Sequence, residues 1–452
     1  MNIKVDSRKV KEGDTFIALK TLNNDGHKYI EAAISNGAKQ VVVEKGLYSV
    51  ETLVVGDTRD YLNDYLKENY YPKIKDLKLI GMTGTNGKTT TCFLIHRALN
   101  ELNVKCGYIG TIGFYINDKI RDLNNTTPDI LEMYEMLTEC KENGCEYVAM
   151  EVSSHALDMH RVCGLLYDYT IFSNLTKDHL DYHQNMENYA LAKQKLFYQL
   201  KIDGKAIVNS DDEYKNYYIL KENKNITYGF QNSDYQIIDY NIDILNSTFK
   251  VKKSEEITTY KAKLLGKHNL YNLLVIIVVL SEMKFDKEQI KNIIRDLEAP
   301  AGRMDTIYYD TNRIIIDYAH TPDAVKNVIS AVKEIATNNI YTIVGCGGNR
   351  DKTKRPEMAK IAAELSTKVI LTSDNPRFEN PRDIINDMLQ GLDNSNYEIE
   401  ENREEAIKKG VQMLDKNDIL LVLGKGHETY QIIGEKKLNF DDKEKVLDII
   451  RR

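Results

Sequence analysis

From residue 77 onward, short apolar runs alternate with longer stretches whose apolar positions recur every three or four residues. The short runs predict strands at 77–83, 106–110, 147–152, 169–174 and 206–209, and the longer stretches predict helices at 92–102, 129–142 and 186–200. Alternation of this kind implies crossover units and a mainly parallel sheet. Ahead of it, 15–19, 29–36, 40–43 and 53–55 read as short strands and helices, and 70–75, with Pro72, reads as a linker. Residues 230–265 form an irregular β-rich insert, followed by helices at 269–284 and 286–297. Ala299-Pro300-Ala301-Gly302 marks a second break, after which strands at 313–317, 340–344, 368–372 and 418–423 alternate with helices such as 357–365. The expected architecture is α/β in three domains, 1–76, 77–300 and 301–452.

Length agrees with that division, since 452 residues at about 150 per domain suggest three. The net charge of -7 argues against nucleic acid as the main partner, although local basic clusters can still hold an anion. Six cysteines show no C-x-x-C pair and no metal-ligand spacing, which suits free thiols in a reducing compartment. The longest apolar run, 273–280, is far short of the ~18–20 residues of a membrane span, and no apolar segment follows Met1-Asn2-Ile3-Lys4. A soluble, cytoplasmic protein with no membrane span is expected.

The first candidate chemistry lies between the strand at 77–83 and the helix at 92–102, where the chain reads GMTGTNGKTTT. Strict P-loop spacing would put a glycine where Met82 stands. The mechanics survive that departure. Gly84 and Gly87 let backbone N–H groups approach oxygens, Lys88 supplies a point charge, Thr89 can ligate Mg²⁺, and the helix start favours anions. Glu151 ends the strand at 147–152, and a carboxylate beside a phosphate loop suits Mg²⁺. Ser173–His183, SNLTKDHLDYH, follows another strand.

GTNGKTT, EVSSHAL, SNLTKDHLDYH, ALAKQKLF, GKHNLYN, AGRMD, DYAHTPDA, GCGGNRDKTKRP, SDNPR and GKGHETYQ occur in that order, and together they resemble the muramyl ligases over nearly the whole chain. The resemblance implies an N-terminal UDP-sugar-binding α/β domain, a central P-loop-type ATPase and a C-terminal Rossmann-like domain for the incoming amino acid. It implies ATP-dependent activation of the D-Glu carboxylate of UDP-N-acetylmuramoyl-L-Ala-D-Glu as an acyl phosphate, then amide formation in peptidoglycan precursor synthesis, by an enzyme expected to be a monomer.

The resemblance carries over residue by residue. ATP falls on Gly84, Thr85, Asn86, Gly87, Lys88, Thr89 and Thr90, with Asn269, Asn272, Arg303 and His320 around the nucleotide. Mg²⁺ falls to Thr89, Glu151, His179 and Lys193, the last matching a lysine carbamylated by CO₂ in the family; Lys88, Lys193, His179 and Glu151 form the catalytic set. Carbamylation turns an ammonium into a carboxylate, which suits hard Mg²⁺. Lys195, about 200° further around the helix, cannot serve the same site. Ser7, Leu22, Asn23, Asn24, Thr126, Thr127, Ser153 and Arg161 match the UDP-dipeptide contacts. Arg350, Asp374, Asn375, Pro376, Arg377, Gly424 and Glu428 match the amino-acid site.

Two departures bear on the sugar contacts. Few residues precede Asp6-Ser7-Arg8, where relatives carry a longer segment, so the first domain is expected to lack an initial helix or strand, and Met159 stands where some relatives use a glutamine. The form Asp374-Asn375-Pro376-Arg377 resembles the meso-diaminopimelate-adding members, because Arg377 offers a planar fork to the distal carboxylate. Addition of L-lysine or lanthionine is the nearest alternative. A folylpolyglutamate synthetase-like ligase, which has no reason to carry an N-terminal Asp6-Ser7-Arg8 domain with an SDNPR loop, and a non-catalytic P-loop regulatory protein, which would not need the amino-acid motifs of the last domain, are the distant ones.

Overall fold

The computed structural model describes residues 2–20, 24–221, 224–243, 246–393 and 396–451. It divides into two compact units, one of Met1–Thr83, Asn103–Thr170 and Ala192–Lys205, the other of Gly84–Leu102, Ile171–Leu191 and Ala206–Arg452.

The first unit opens with a parallel sheet in the order Ile3–Lys4, Thr15–Ile17, Gln40–Val43, Glu51–Val54. Gln40–Val43 is buried throughout, and its three valines suit a strand covered on both faces. The stretch expected as a linker is instead a helical turn, Tyr71–Ile74. Pro72 sits in its first turn, where the missing N–H costs nothing, and Ile74 is buried. Beyond it, Lys78–Thr83 pairs in parallel with Tyr147–Glu151, which pairs in parallel with Cys106–Gly110. Gly113–Tyr115 and Lys119–Arg121 extend that edge antiparallel. In this register Met82 lies opposite Glu151, so the end of the first strand and the carboxylate share one edge of the sheet.

In the second unit the helix of the phosphate loop, Lys88–Glu101, packs on Lys267–Glu282. Leu273–Leu280 is wholly buried in that helix, so the longest apolar run is core. Each such side chain contributes about 1.5–3 kcal/mol relative to exposure. The β-rich insert comprises Tyr235–Ile242, Ser247–Lys253 and Glu256–Ala262 in antiparallel pairing. The helix expected over 186–200 is shorter, Met186–Gln194; a 3-10 turn, Phe197–Gln199, follows, and the next strand starts early, at Leu200.

The last sheet runs Asp305–Tyr309, Asn312–Asp317, Ile419–Leu423, Ile340–Cys346, Lys368–Ser373, Tyr397–Ile399. Its first pair is antiparallel and the rest parallel. Two apolar clusters cover its faces, one under Pro322–Ile335, Lys354–Leu365 and Pro381–Leu389, the other under Arg403–Gln412 and Asp442–Ile450. Asp317, Gly424, Gly347 and Asp374 therefore lie at or just past the carboxyl ends of adjacent parallel strands, the edge where open α/β sheets bind ligands. Among the described residues no helix is long and apolar enough to cross a membrane, and all six cysteines are free.

Candidate functional site

The phosphate loop is shaped by close approach. Gly84 and Gly87 have φ of 147° and 90°. A Cβ on Gly84 would fall 1.9 Å from Ser173 Oγ, and one on Gly87 would fall 2.7 Å from Asn272 Oδ1. That amide oxygen already accepts from Thr91 Oγ1 at 3.0 Å, while Asn272 Nδ2 donates to Asn269 Oδ1 at 2.9 Å. Asn269 in turn donates to Leu265 O at 2.9 Å. The two asparagines of GKHNLYN thus brace the loop from the neighbouring helix. Lys88 Nζ donates to the carbonyls of Gly84 and Thr85 at 2.9 and 2.8 Å, and Arg303 Nη2 donates to Thr89 Oγ1 at 3.2 Å.

Asn86, Gly87, Thr90, Asn269, Asn272 and Arg303 line a cavity of about 330 Å³. Arg303 lies over the Tyr318 ring at 4.5 Å, and its buried Nε has no hydrogen-bond partner. Such an orphaned guanidinium N–H suits an anionic or carbonyl acceptor in the cavity. Burial, then the Lys354 charge, push His320 down to about 4. The ring is therefore neutral near pH 7. Its Nδ1 lies 3.0 Å from Tyr318 O, which can only accept, so the proton sits on Nδ1 and Nε2 is left as an acceptor. His179 has a φ of 54°, and its Nε2 lies 3.4 Å from Asp178 Oδ2. Burial raises the Asp178 pKa, but His179, His320 and Lys354 outweigh it and leave the carboxyl below its ordinary value.

In the first unit Glu151 is fully buried. Its Oε1 accepts from Tyr108 OH at 2.6 Å and Thr111 N at 2.8 Å, and its Oε2 from Thr111 Oγ1 at 3.1 Å. Thr126 Oγ1 lies 3.1 Å from Thr111 Oγ1. Thr127 Oγ1 donates to Glu151 O at 2.9 Å and accepts from Ser153 N at 3.1 Å, and Ser153 caps the helix Ser154–Asp158. Arg161 Nη1 donates to Thr127 O at 3.1 Å, Nε pairs with Asp129 at 3.1 Å, and Nη2 reaches Met159 Sδ at 3.4 Å. The expected contacts Thr126, Thr127, Ser153 and Arg161 thus form one group with Glu151. Ser7 is buried in the turn Ser7–Lys9, and Asn24 accepts from Tyr29 OH at 3.2 Å. Leu22 and Asn23 lie outside the described residues.

Lys193 is 1% exposed, whereas Lys195 is half-exposed and paired with Asp158 at 2.5 Å. A surface lysine would look like the second, not the first. Thr89 and Glu151, one in each unit, offer hard oxygen donors of the kind Mg²⁺ takes, and His179 offers an imidazole. Among the described residues there is no group of three or more His, Cys, Asp or Glu that could hold a metal.

The residues expected at the amino-acid site converge at the strand ends of the last sheet. Arg377 has a φ of 52°, and its Nη1 donates to Gly348 O at 2.8 Å. A Cβ on Gly347 would lie 2.9 Å from Arg377 Nη1 and 3.9 Å from Arg350 Cγ, so both guanidinium chains border one glycine. Burial, then the Arg350 charge, lower the Arg377 pKa, and Asp374 and Glu428 oppose that. Gly424 has a φ of 116°, and a Cβ there would strike Asp374 Oδ2 at 2.5 Å. Glu428 Oε2 accepts from Asn375 Nδ2 at 2.8 Å and from Lys425 Nζ at 3.1 Å. Lys425 is fully buried and also donates to Tyr430 O. Burial raises the Glu428 pKa against these partners.

Family models match the chain in three consecutive stretches: the Mur ligase family catalytic domain over 1–85, the Mur ligase middle domain over 82–280, and the Mur ligase glutamate ligase domain over 302–426. A protein of Fusobacterium nucleatum named UDP-N-acetylmuramoyl-L-alanyl-D-glutamate–2,6-diaminopimelate ligase is 44% identical, with 100% of this chain and 94% of that protein covered. The chain belongs to the Mur ligase family. A Clostridium perfringens member of the same name is 41% identical over 99% of this chain and 94% of its own length. A solved Mur ligase of that name superposes with a TM-score of 0.70 at 34% identity, covering 100% of this chain and 94% of that one. The Mur ligase MurF of Thermotoga maritima, solved with ADP, shares the fold at a TM-score of 0.70, at 18% identity and with 99% and 96% covered.

Several residues at these places carry little signal in the sequence. Lys425 stands inside the quoted GKGHE motif, and its place between two glycines was the available signal. Tyr108 and Thr111, which hold Glu151, carried none. Asp317, which accepts from Met304 N and Ala319 N at 2.8 Å each, stood in plain sight in the motif DYAHTP.

Proposed function

We propose that this chain adds meso-diaminopimelate to the D-Glu carboxylate of UDP-N-acetylmuramoyl-L-Ala-D-Glu at the expense of ATP. The single observation that carries the choice of amino acid is the pocket at the strand ends, where Arg377 Nη1 and the stem of Arg350 border Gly347 and a partly buried carboxylate, Glu428, stands nearby. One end of a diamino diacid brings a carboxylate and an ammonium to such a pocket. L-lysine brings only the ammonium, which Arg350 and Arg377 repel. The names of the closely similar relatives agree with this reading.

The chemistry follows from the weakness of a carboxylate as an acylating agent. An oxygen of the D-Glu carboxylate attacks the γ-phosphorus and ADP leaves; the resulting acyl phosphate carries a good leaving group. The amine of diaminopimelate attacks the acyl carbon, phosphate departs, and the nitrogen loses a proton. Two anions must meet in the first step, so fixed cations and positioning carry most of the acceleration. Gly84–Thr90 cradle the phosphates, with Lys88 set against the transferred group. Asn269, Asn272, Arg303 and neutral His320 hold the rest of the nucleotide. Thr126, Thr127, Ser153 and Arg161, with Ser7 and Leu22–Asn24, hold the UDP-dipeptide. Bound Mg²⁺, taken by Thr89, Glu151, His179 and Lys193 as its carbamate, would neutralise phosphate charge. Domains 1–76, 77–300 and 301–452 would divide these tasks among sugar, ATP and amino acid.

The test is ATP turnover. ADP release should require both the UDP-dipeptide and the amino acid. Turnover independent of the UDP-dipeptide would refute the assignment.

A further inference from the structure

We propose that Arg355 and Glu379 are a positioning pair that fixes Arg350 and Arg377 and so sets the discrimination between amino acids with and without a distal carboxylate. The proposal rests on the reading that those two guanidiniums receive that carboxylate.

Arg350 and Arg377 are like charges at one glycine, and among the described residues neither has a carboxylate within ion-pair distance. Arg377 Nη1 is held by the Gly348 and Asn375 carbonyls at 2.8 and 3.4 Å, and Arg350 Nη1 reaches only Asn349 O at 3.4 Å. Their backbones must therefore be held from outside the pocket.

Arg355 does this from the first turn of the helix Lys354–Leu365, where it is fully buried. Its Nη2 donates to Glu379 Oε1 at 2.9 Å and to Gly347 O at 3.2 Å. Its Nη1 donates to Glu379 Oε2 at 3.0 Å and to Asp387 Oδ2 at 2.8 Å. One guanidinium thus grips the loop of Arg350 by a carbonyl and the loop of Arg377 by a carboxylate. Glu379 closes the stitch from its side, accepting from Asn349 N and pairing with Lys352 Nζ at 3.3 Å. Phe378 N donates to Asn349 Oδ1 at 3.1 Å and Gly348 N to Asn375 O at 2.9 Å. Both loops also hold a non-glycine residue at positive φ, Asn349 at 51° and Arg377 at 52°. Such conformations persist only where the surroundings over-determine them. A planar fork with two acceptor groups on different loops is suited to that task, and an ammonium is not. With the stitch loosened, mutual repulsion moves the two guanidiniums apart and one of them loses a shared carboxylate. An amino acid without that carboxylate loses nothing.

The experiment compares Glu379→Gln and Arg355→Lys with wild type. Glu364→Gln, in an exposed 3.9 Å pair on the same helix, is the control. KM and kcat are measured for meso-diaminopimelate and for L-lysine, and the ATP dissociation constant reports the fold. The diaminopimelate KM should rise by on the order of 10–10²-fold in both variants. The kcat should stay within about threefold, and L-lysine should not respond, so discrimination falls by the same factor as KM. If Arg355→Lys does not fold, Glu379→Gln decides alone, since it changes charge without changing shape. Retained discrimination, or equal losses toward ATP and both amino acids, overturns the proposal. A wild-type preference for L-lysine would instead refute the pocket reading, and the pair's role with it.

Discussion

Gly87→Ala tests the geometry of the phosphate loop most sharply. The residue sits at φ 90°, ψ -13°, a left-handed conformation that costs an L-residue roughly 1–2 kcal/mol. The added methyl would also lie 2.7 Å from Asn272 Oδ1. That oxygen cannot retreat freely, because Thr91 Oγ1 donates to it at 3.0 Å and the same amide donates to Asn269. Breaking one such bond costs about 0.5–1.5 kcal/mol. The two contributions together come to roughly 1.5–3.5 kcal/mol, charged against the loop conformation that takes phosphate. At about 1.4 kcal/mol per decade, ATP should bind on the order of 10- to several-hundred-fold more weakly. The assay is calorimetric titration of ATP into wild type, Gly87→Ala, Asn272→Ala and the double variant. In the Asn272→Ala background the contact share vanishes, so Gly87→Ala should cost only its dihedral share there. Wild-type affinity in Gly87→Ala would refute the argument, and so would equal costs in both backgrounds.

Arg377→Lys keeps the charge but loses the fork, so the diaminopimelate KM should rise strongly while ATP and UDP-dipeptide constants barely move; steady-state kinetics with each substrate varied in turn decides it. Lys193→Ala should abolish ligation with partial rescue by small carboxylates, and an unmodified Lys193 in a fully active, metal-loaded crystal would contradict the carbamate. Glu428 must be ionised to hold an ammonium and its pKa is raised, first by burial. The diaminopimelate KM should therefore climb as the pH falls through a value above that of an ordinary glutamate, and Lys425→Met should move that limb to higher pH. The stability sign is separate: a raised folded-state pKa gives stability that is full below the unfolded value and is lost as the pH rises through the folded one. Glu428→Gln should accordingly gain stability relative to wild type as the pH rises from the ordinary glutamate value through the raised one, as read by urea unfolding.

The parts legible in the sequence were those with a local cause. Strand Cys106–Gly110 and the core helix over Leu273–Leu280 follow from periodicity, and the loop at Gly84–Thr90 from its glycines and lysine. Boundaries set by tertiary packing were less visible. Pro72 read as a break, yet it stands where a helix tolerates it, and 186–200 looked continuous because its apolar positions go on serving the core after the helix ends at Gln194. The residues proposed for the amino-acid pocket were visible through SDNPR and GKGHE, but their supports were not. Arg355 and Lys425 look like two more charged residues in a charged chain. Only the fold shows each of them buried, ringed by oxygens from two loops. Glu151 was legible as a carboxylate at a strand end, while Tyr108 and Thr111, distant in sequence and ordinary in type, gave no sign of holding it.

The most direct measurement is an amino-acid panel with the UDP-N-acetylmuramoyl-L-Ala-D-Glu acceptor and ATP, read by mass spectrometry. The account predicts an ATP-dependent adduct with meso-diaminopimelate and little with L-lysine; lanthionine, which presents the same two ends, should pass the same pocket. Preferred addition of L-lysine, or no adduct with any diamino diacid, would contradict it.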